Sequence, residues 1–139
     1  MTVPTGLRGW NPSVVYSKAA DLFAATVRTV RNPKRFKVRY VADIGLPMVA
    51  TAHAITRLTH RLERDTVQDG DAAPILALLR DLRSDLNAAY LGFGIQAKPL
   101  AALDGMAEDL TTCLRRFCRG RDGARLMDDK PAGGSARRT

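Results

Sequence analysis

Six basic side chains fall within twelve residues of this chain: Arg28, Arg31, Lys34, Arg35, Lys37 and Arg39, with no acid among them. Such a run repels itself in isolation. A polyanion relieves that repulsion and releases its own counterions in the exchange, so phosphate neutralisation is the chemistry this segment offers. A second group, Arg115, Arg116 and Arg119, opens a basic C-terminal stretch. There, residues 111–139 hold eight basic groups against Asp122, Asp128 and Asp129. The formal net charge of +8 is concentrated in these two regions, and the remainder is slightly acidic.

The other reactive residue types do not assemble into a recognisable centre. His53 and His60 are seven apart, so they share a helical face about 10 Å distant, too far to hold one ion between them. Arg57, Arg61 and Arg64 continue that side as a secondary basic stripe. Cys113 and Cys118 lack the further ligands a zinc site needs and read as half-buried thiols of a reducing compartment. No phosphate-binding glycine loop and no nucleophile elbow occurs. Asp81 and Asp85 read as surface partners of Arg80 and Arg83. The expectation is a chain without a catalytic, cofactor or metal site. No apolar run reaches the roughly 18–20 residues of a membrane span, and residues 1–13 lack a signal-peptide core, so a cytoplasmic protein is expected.

The elements that must position the basic groups are helical. Pro4, Gly6, Gly9 and Pro12 mark residues 1–12, with Trp10, as an irregular arm. A first helix is expected from about Pro12-Ser13, with Val15, Ala19, Leu22, Thr26 and Val30 as its apolar stripe, widened by Tyr16, Phe23 and Val27. It ends at Asn32-Pro33, because the residue before proline avoids the α region. A second helix from about Lys34 to Arg64 buries Phe36, Tyr40, Ile44, Met48, Ile55, Leu58 and Leu62. Gly45 and Pro47 predict a kink or break inside it. Phe36 and Tyr40 are read as core first and as stacking platforms second.

Residues 65–74 read as a polar loop. The third helix carries Ile75, Leu79, Leu82, Leu86, Ala89 and Phe93 at alternating steps of four and three, and Gly92 and Gly94 close it. The fourth is expected from Pro99 to Gly120 on Leu103, Met106, Leu110, Cys113 and Phe117, with Leu114 alongside. Residues 121–139 then read as a basic flexible tail. Short connections favour an all-α, antiparallel up-down-up-down four-helix bundle over 13–120. That topology sets the first corner beside the third-to-fourth corner and puts the end of helix four at the opposite end.

In the order of its motifs the chain resembles the four-helix-bundle family that includes the accessory variability determinant (Avd) proteins of diversity-generating retroelements. Tyr16-Ser17-Lys18-Ala19-Ala20-Asp21-Leu22 is similar to the family's Y-K-x-x-Y-D-L-L opening. Asn32-Pro33-Lys34-Arg35-Phe36-Lys37 resembles its N-F-P-K-x-x-K corner, and Leu79–Leu91 its third helix. Departures are the absence of Phe before Pro33, the Gly45/Pro47 interruption, and Phe117-Cys118-Arg119-Gly120 in place of a terminal G-G-W. The resemblance implies a non-catalytic subunit that forms a homopentameric ring and binds RNA or DNA together with a reverse transcriptase. On that reading Arg28, Arg31, Lys34, Arg35, Lys37, Arg39, Arg115, Arg116 and Arg119 contact nucleic acid. The same fold also occurs in proteins encoded by intervening sequences of ribosomal RNA genes, which makes a protein-interaction scaffold the alternative.

Overall fold

A computed structural model describes residues 14–64 and 72–128. The expected arm with Trp10, the start at Pro12-Ser13, most of the polar loop and the last eleven residues lie outside the described residues. Four helices make up the rest, with no strand among the described residues. Helix α1 is Val14–Arg31. Helix α2 starts as a single turn, Val38–Tyr40, passes through a π segment, Val41–Gly45, and continues as Leu46–Arg64. Helix α3 is Ala72–Phe93 and α4 is Ala97–Asp128. The main contacts run from α1 to α2 and α4, and from α3 to the same two helices, around one shared core.

The buried side of α1 is Val15, Ala19, Leu22, Thr26 and Val30, the stripe its spacing dictates. Thr26 is fully buried, and its hydroxyl donates to the Leu22 carbonyl at 2.7 Å, so the polar group enters the core already satisfied. Thr59 does the same toward Ile55 at 2.7 Å. Thr56 donates to its own turn at Ala52 and reaches across to the Ala19 carbonyl at 3.3 Å, tying α2 to α1.

Helix α1 stops at Asn32 as expected, but the second helix does not begin at Lys34. The Asn32 carbonyl accepts from the backbone N–H groups of Arg35 (3.0 Å) and Phe36 (2.8 Å), and its side-chain oxygen accepts from that of Lys34 (3.0 Å). These bonds hold residues 33–36 as a turn. Helix α2 therefore starts at Val38, after Lys37 in extended backbone.

The interruption predicted at Gly45-Pro47 takes the form of the π segment. The Leu46 N–H donates to the Val41 carbonyl, five residues back. Pro47 has no N–H to give and its ring crowds the preceding turn, so a widened turn just before it lets the helix continue without a break. Gly45 is buried there. A Cβ at this position would lie 2.7 Å from Val30 Cγ1 and 3.0 Å from Phe36 Cε1, so glycine is what allows the corner to close onto α2.

The third seam is as read: Ile75, Leu79, Leu82, Leu86 and Ala89 are buried, joined by Ala72. The helix begins two residues before Pro74, which is tolerated in the first turn. Gly94, at φ +70°, ends it, and the Ile95 N–H donates back to the Ala89 carbonyl at 3.0 Å. Gly92 is not a terminator; it lies inside the helix, facing open space.

Helix α4 departs from expectation in three ways. It begins at Ala97, before Pro99. Its deepest line is Leu100, Leu103, Ala107, Leu110 and Leu114, with Met106, Cys113 and Phe117 packed half-buried beside it. It also runs through Gly120 to Asp128.

Replacing Gly45 with alanine tests the closure of the corner. In an open helix interior the change stabilises by about 1 kcal/mol. Against a stiff valine it is an overpacking substitution costing about 1–3 kcal/mol. The expected outcome for Gly45→Ala is a lower urea midpoint than wild type, and a variant of equal or greater stability would refute the tight contact.

Candidate nucleic-acid interface

Arg28 and Arg31 occupy the last turn of α1, where the helix dipole favours cations. Lys34 and Arg35 stand on the Asn32-centred turn, Lys37 precedes α2, and Arg39 lies in its first turn. All six are exposed, while Phe36, in their midst, is completely buried. The structure thus separates two roles that the sequence interleaves. The aromatic ring anchors the turn, and the charged chains are left to solvent around it.

Tyr40 is half-buried and links the corner to its neighbour. Its ring meets Phe93 edge-on at 5.3 Å, and the Arg39 guanidinium lies over its other side, 4.9 Å from the centroid. The first corner therefore sits beside the α3–α4 connection. Among the described residues none of the six side chains is held in an ion pair; the salt bridge present, Arg83–Asp104, is elsewhere. Beside the corner opens an apolar groove of about 500 Å³, edged by Val27, Pro33, Val38, Leu46, Val49 and Arg31. Val38 and Leu46 are 74% and 55% exposed on its rim.

Arg115, Arg116 and Arg119 are exposed on α4. Arg115 lies eighteen residues into that helix, about 27 Å along its axis from the α3–α4 connection. The two basic groups are not brought together. Arg115 instead shares a groove with Arg80 and Arg83 of α3, beside Leu76 and Thr111. Arg83 does not pair with Asp81 or Asp85 on its own helix. It crosses to Asp104, with Nε to Oδ1 at 2.7 Å and Nη2 to Oδ2 at 3.1 Å. That bidentate bond raises the Arg83 pKa above its ordinary value.

Cys113 and Cys118 are half-buried thiols. His53 and His60 each meet an aromatic ring of α1, His53 with Phe23 at 5.3 Å and His60 with Tyr16 at 5.5 Å between centroids. These pairs were missed from sequence, although the signal was present: both Tyr16/Phe23 and His53/His60 are seven apart. No helix among the described residues is long and apolar enough to cross a membrane.

No family model, curated protein or solved structure matches the chain.

Without Arg83 as a partner, Asp85 is left half-buried near Asp81. Burial raises its pKa above the ordinary value, and the Asp81 charge adds to the effect. A carboxyl raised on folding weakens the fold wherever it is ionised. The penalty is absent below the ordinary carboxyl value of 3.8 and is complete once pH has passed the folded value. Asp85→Asn should therefore raise the thermal midpoint near neutral pH and leave it unchanged near pH 3. An equal shift at both pH values would show that the carboxylate's charge is not the cause.

Proposed function

We propose that this chain is a non-catalytic, nucleic-acid-binding accessory subunit of the Avd type. It supports a diversity-generating retroelement's reverse transcriptase and template RNA in mutagenic cDNA synthesis, within the cytoplasm. The observation that carries the reading is the exposed corner. Six cations with no ion-pair partner among the described residues stand on and beside a turn whose backbone is bonded internally and whose one aromatic is buried. Lys34, Arg35, Lys37 and Arg39, with Arg28 and Arg31, take phosphate oxygens without reading sequence. Arg115, Arg116 and Arg119 form a separate contact.

An antiparallel up-down-up-down order is supported by the pairing of α1 with α2: Tyr16 meets His60, Ala19 meets Thr56, and Phe23 meets His53. Numbers rise on one helix as they fall on the other. Assembly into a homopentameric ring belongs to the same proposal and is read directly by native mass spectrometry, where a monomer would remove it.

The apolar groove beside the corner, with Val38 and Leu46 on its rim, favours a second reading as a protein-interaction scaffold without a nucleic-acid role. Copurifying nucleic acid that nuclease removes supports the first reading, and a clean protein peak supports the second. The direct test neutralises the corner. Lys34→Gln, Arg35→Gln and Lys37→Gln together should weaken binding of single-stranded RNA. The dependence of log affinity on log salt should become shallower by about 2, at roughly 0.7 per lost phosphate contact. An unchanged slope excludes these three residues as phosphate contacts.

A further inference from the structure

The groove between α1 and α2 holds a pattern that the basic corner lacks. It encloses about 610 Å³ and is lined by Tyr16 and Phe23 from α1 and by His53, Arg57, His60 and Arg61 from α2. The two ring pairs, Phe23–His53 and Tyr16–His60, are separated by seven residues on both helices. That is about 10 Å along the groove, near three base-stacking steps of about 3.4 Å.

Of these rings, Phe23 also packs against the core. Beneath them Ala19, Leu22, Ile55, Thr56 and Thr59 are already buried, and the Thr56 hydroxyl bridges the helices. His53 is exposed, and the other three rings are half-buried. Arg57 and Arg61, one turn apart on α2, are exposed, and no ion pair holds them among the described residues. The groove is therefore lined by four rings, one pair edge-on and one tilted, together with two cations.

We infer that this α1–α2 groove seats a single-stranded nucleic acid, with unpaired bases against the His–aromatic pairs and phosphates on Arg57 and Arg61. The inference rests on the nucleic-acid reading of the corner and adds to it a discrimination the corner cannot make. Phosphates alone are presented by duplex and single strand alike, whereas base faces reach a protein groove only when unpaired. The corner supplies sequence-independent attraction, and the groove supplies the preference for a strand.

The test is a fluorescence-anisotropy titration of the full chain with a labelled 12-nucleotide RNA and with the same sequence as a 12-base-pair duplex. Wild type is compared with His53→Ala, with Arg57→Gln/Arg61→Gln, and with the triple corner variant. Circular dichroism melts verify that each variant folds. His53→Ala is expected to lose about fivefold or more for the single strand, from lost stacking, and less than twofold for the duplex. The double arginine variant should make the single-strand salt slope shallower by about 1.4 and leave the duplex slope unchanged. The corner variant should weaken both ligands. Groove variants that bind the single strand like wild type, or lose strand and duplex equally, overturn the groove while leaving the corner reading intact. Wild type that binds neither ligand overturns both. Displacement of the strand by micromolar uridine monophosphate would make the groove a mononucleotide site and overturn its assignment to a strand.

Discussion

The close approach of Val30, Phe36 and Gly45 is the constraint on which the basic corner depends. Phe36 is buried only because α2 presents a glycine where any side chain would collide with Val30. With Phe36 seated, the intervening residues have little freedom. Asn32 must turn the chain at once, and it does so by accepting three consecutive backbone N–H groups, two on its carbonyl and one on its side chain. The lysines and arginines on either side of Phe36 have no room inside and stand in solvent. Apolar packing thus sets the position of the charges, and the self-repulsion of the charges is tolerated because the turn beneath them is anchored at both ends.

Two regions of the molecule manage charge differently. At the α3–α4 face, Arg83 is committed to Asp104 by two hydrogen bonds, and the acids around it are partly buried or mutually repelling. A guanidinium held in this way contributes orientation and interhelical registry more than free charge. At the first corner no cation is held in an ion pair among the described residues, and Arg39 lies over the Tyr40 ring. Availability, not number, distinguishes a surface that meets an external anion from one that is satisfied internally.

Much of this was legible in the sequence. The seams of α1 and α3 follow from spacing alone, because the apolar residues recur at helical period without interruption. The end of α1 follows from Asn32-Pro33. The start of α2 was not legible, because it depends on which carbonyl the N–H groups of residues 34–36 choose, and Asn32 offers both a backbone and a side-chain acceptor. The deep line of α4 was displaced because small Ala107 can approach the core more closely than the larger Met106 beside it. The Arg83–Asp104 bond was missed because local rules pair charges along one helix, while this pair is 21 residues apart in sequence. The six cations of the first corner are exposed, as charged side chains around a helix break are expected to be. The paired rings of the α1–α2 groove needed the relative placement of two helices, which periodicity on either one does not contain.

The π segment has a consequence in the language of insertions and deletions. Val41–Gly45 closes its ring over five residues where an α-helix uses four, so it holds the equivalent of one extra residue. Loss of a single codon there would leave an ordinary α-helical turn, with Val38–Tyr40 and Leu46–Arg64 in nearly the same mutual phase, because the widened turn already absorbs the extra residue. Arg39 and the exposed Val38 would keep their facing. The facing of this edge of the corner is thus buffered against the loss or return of one codon.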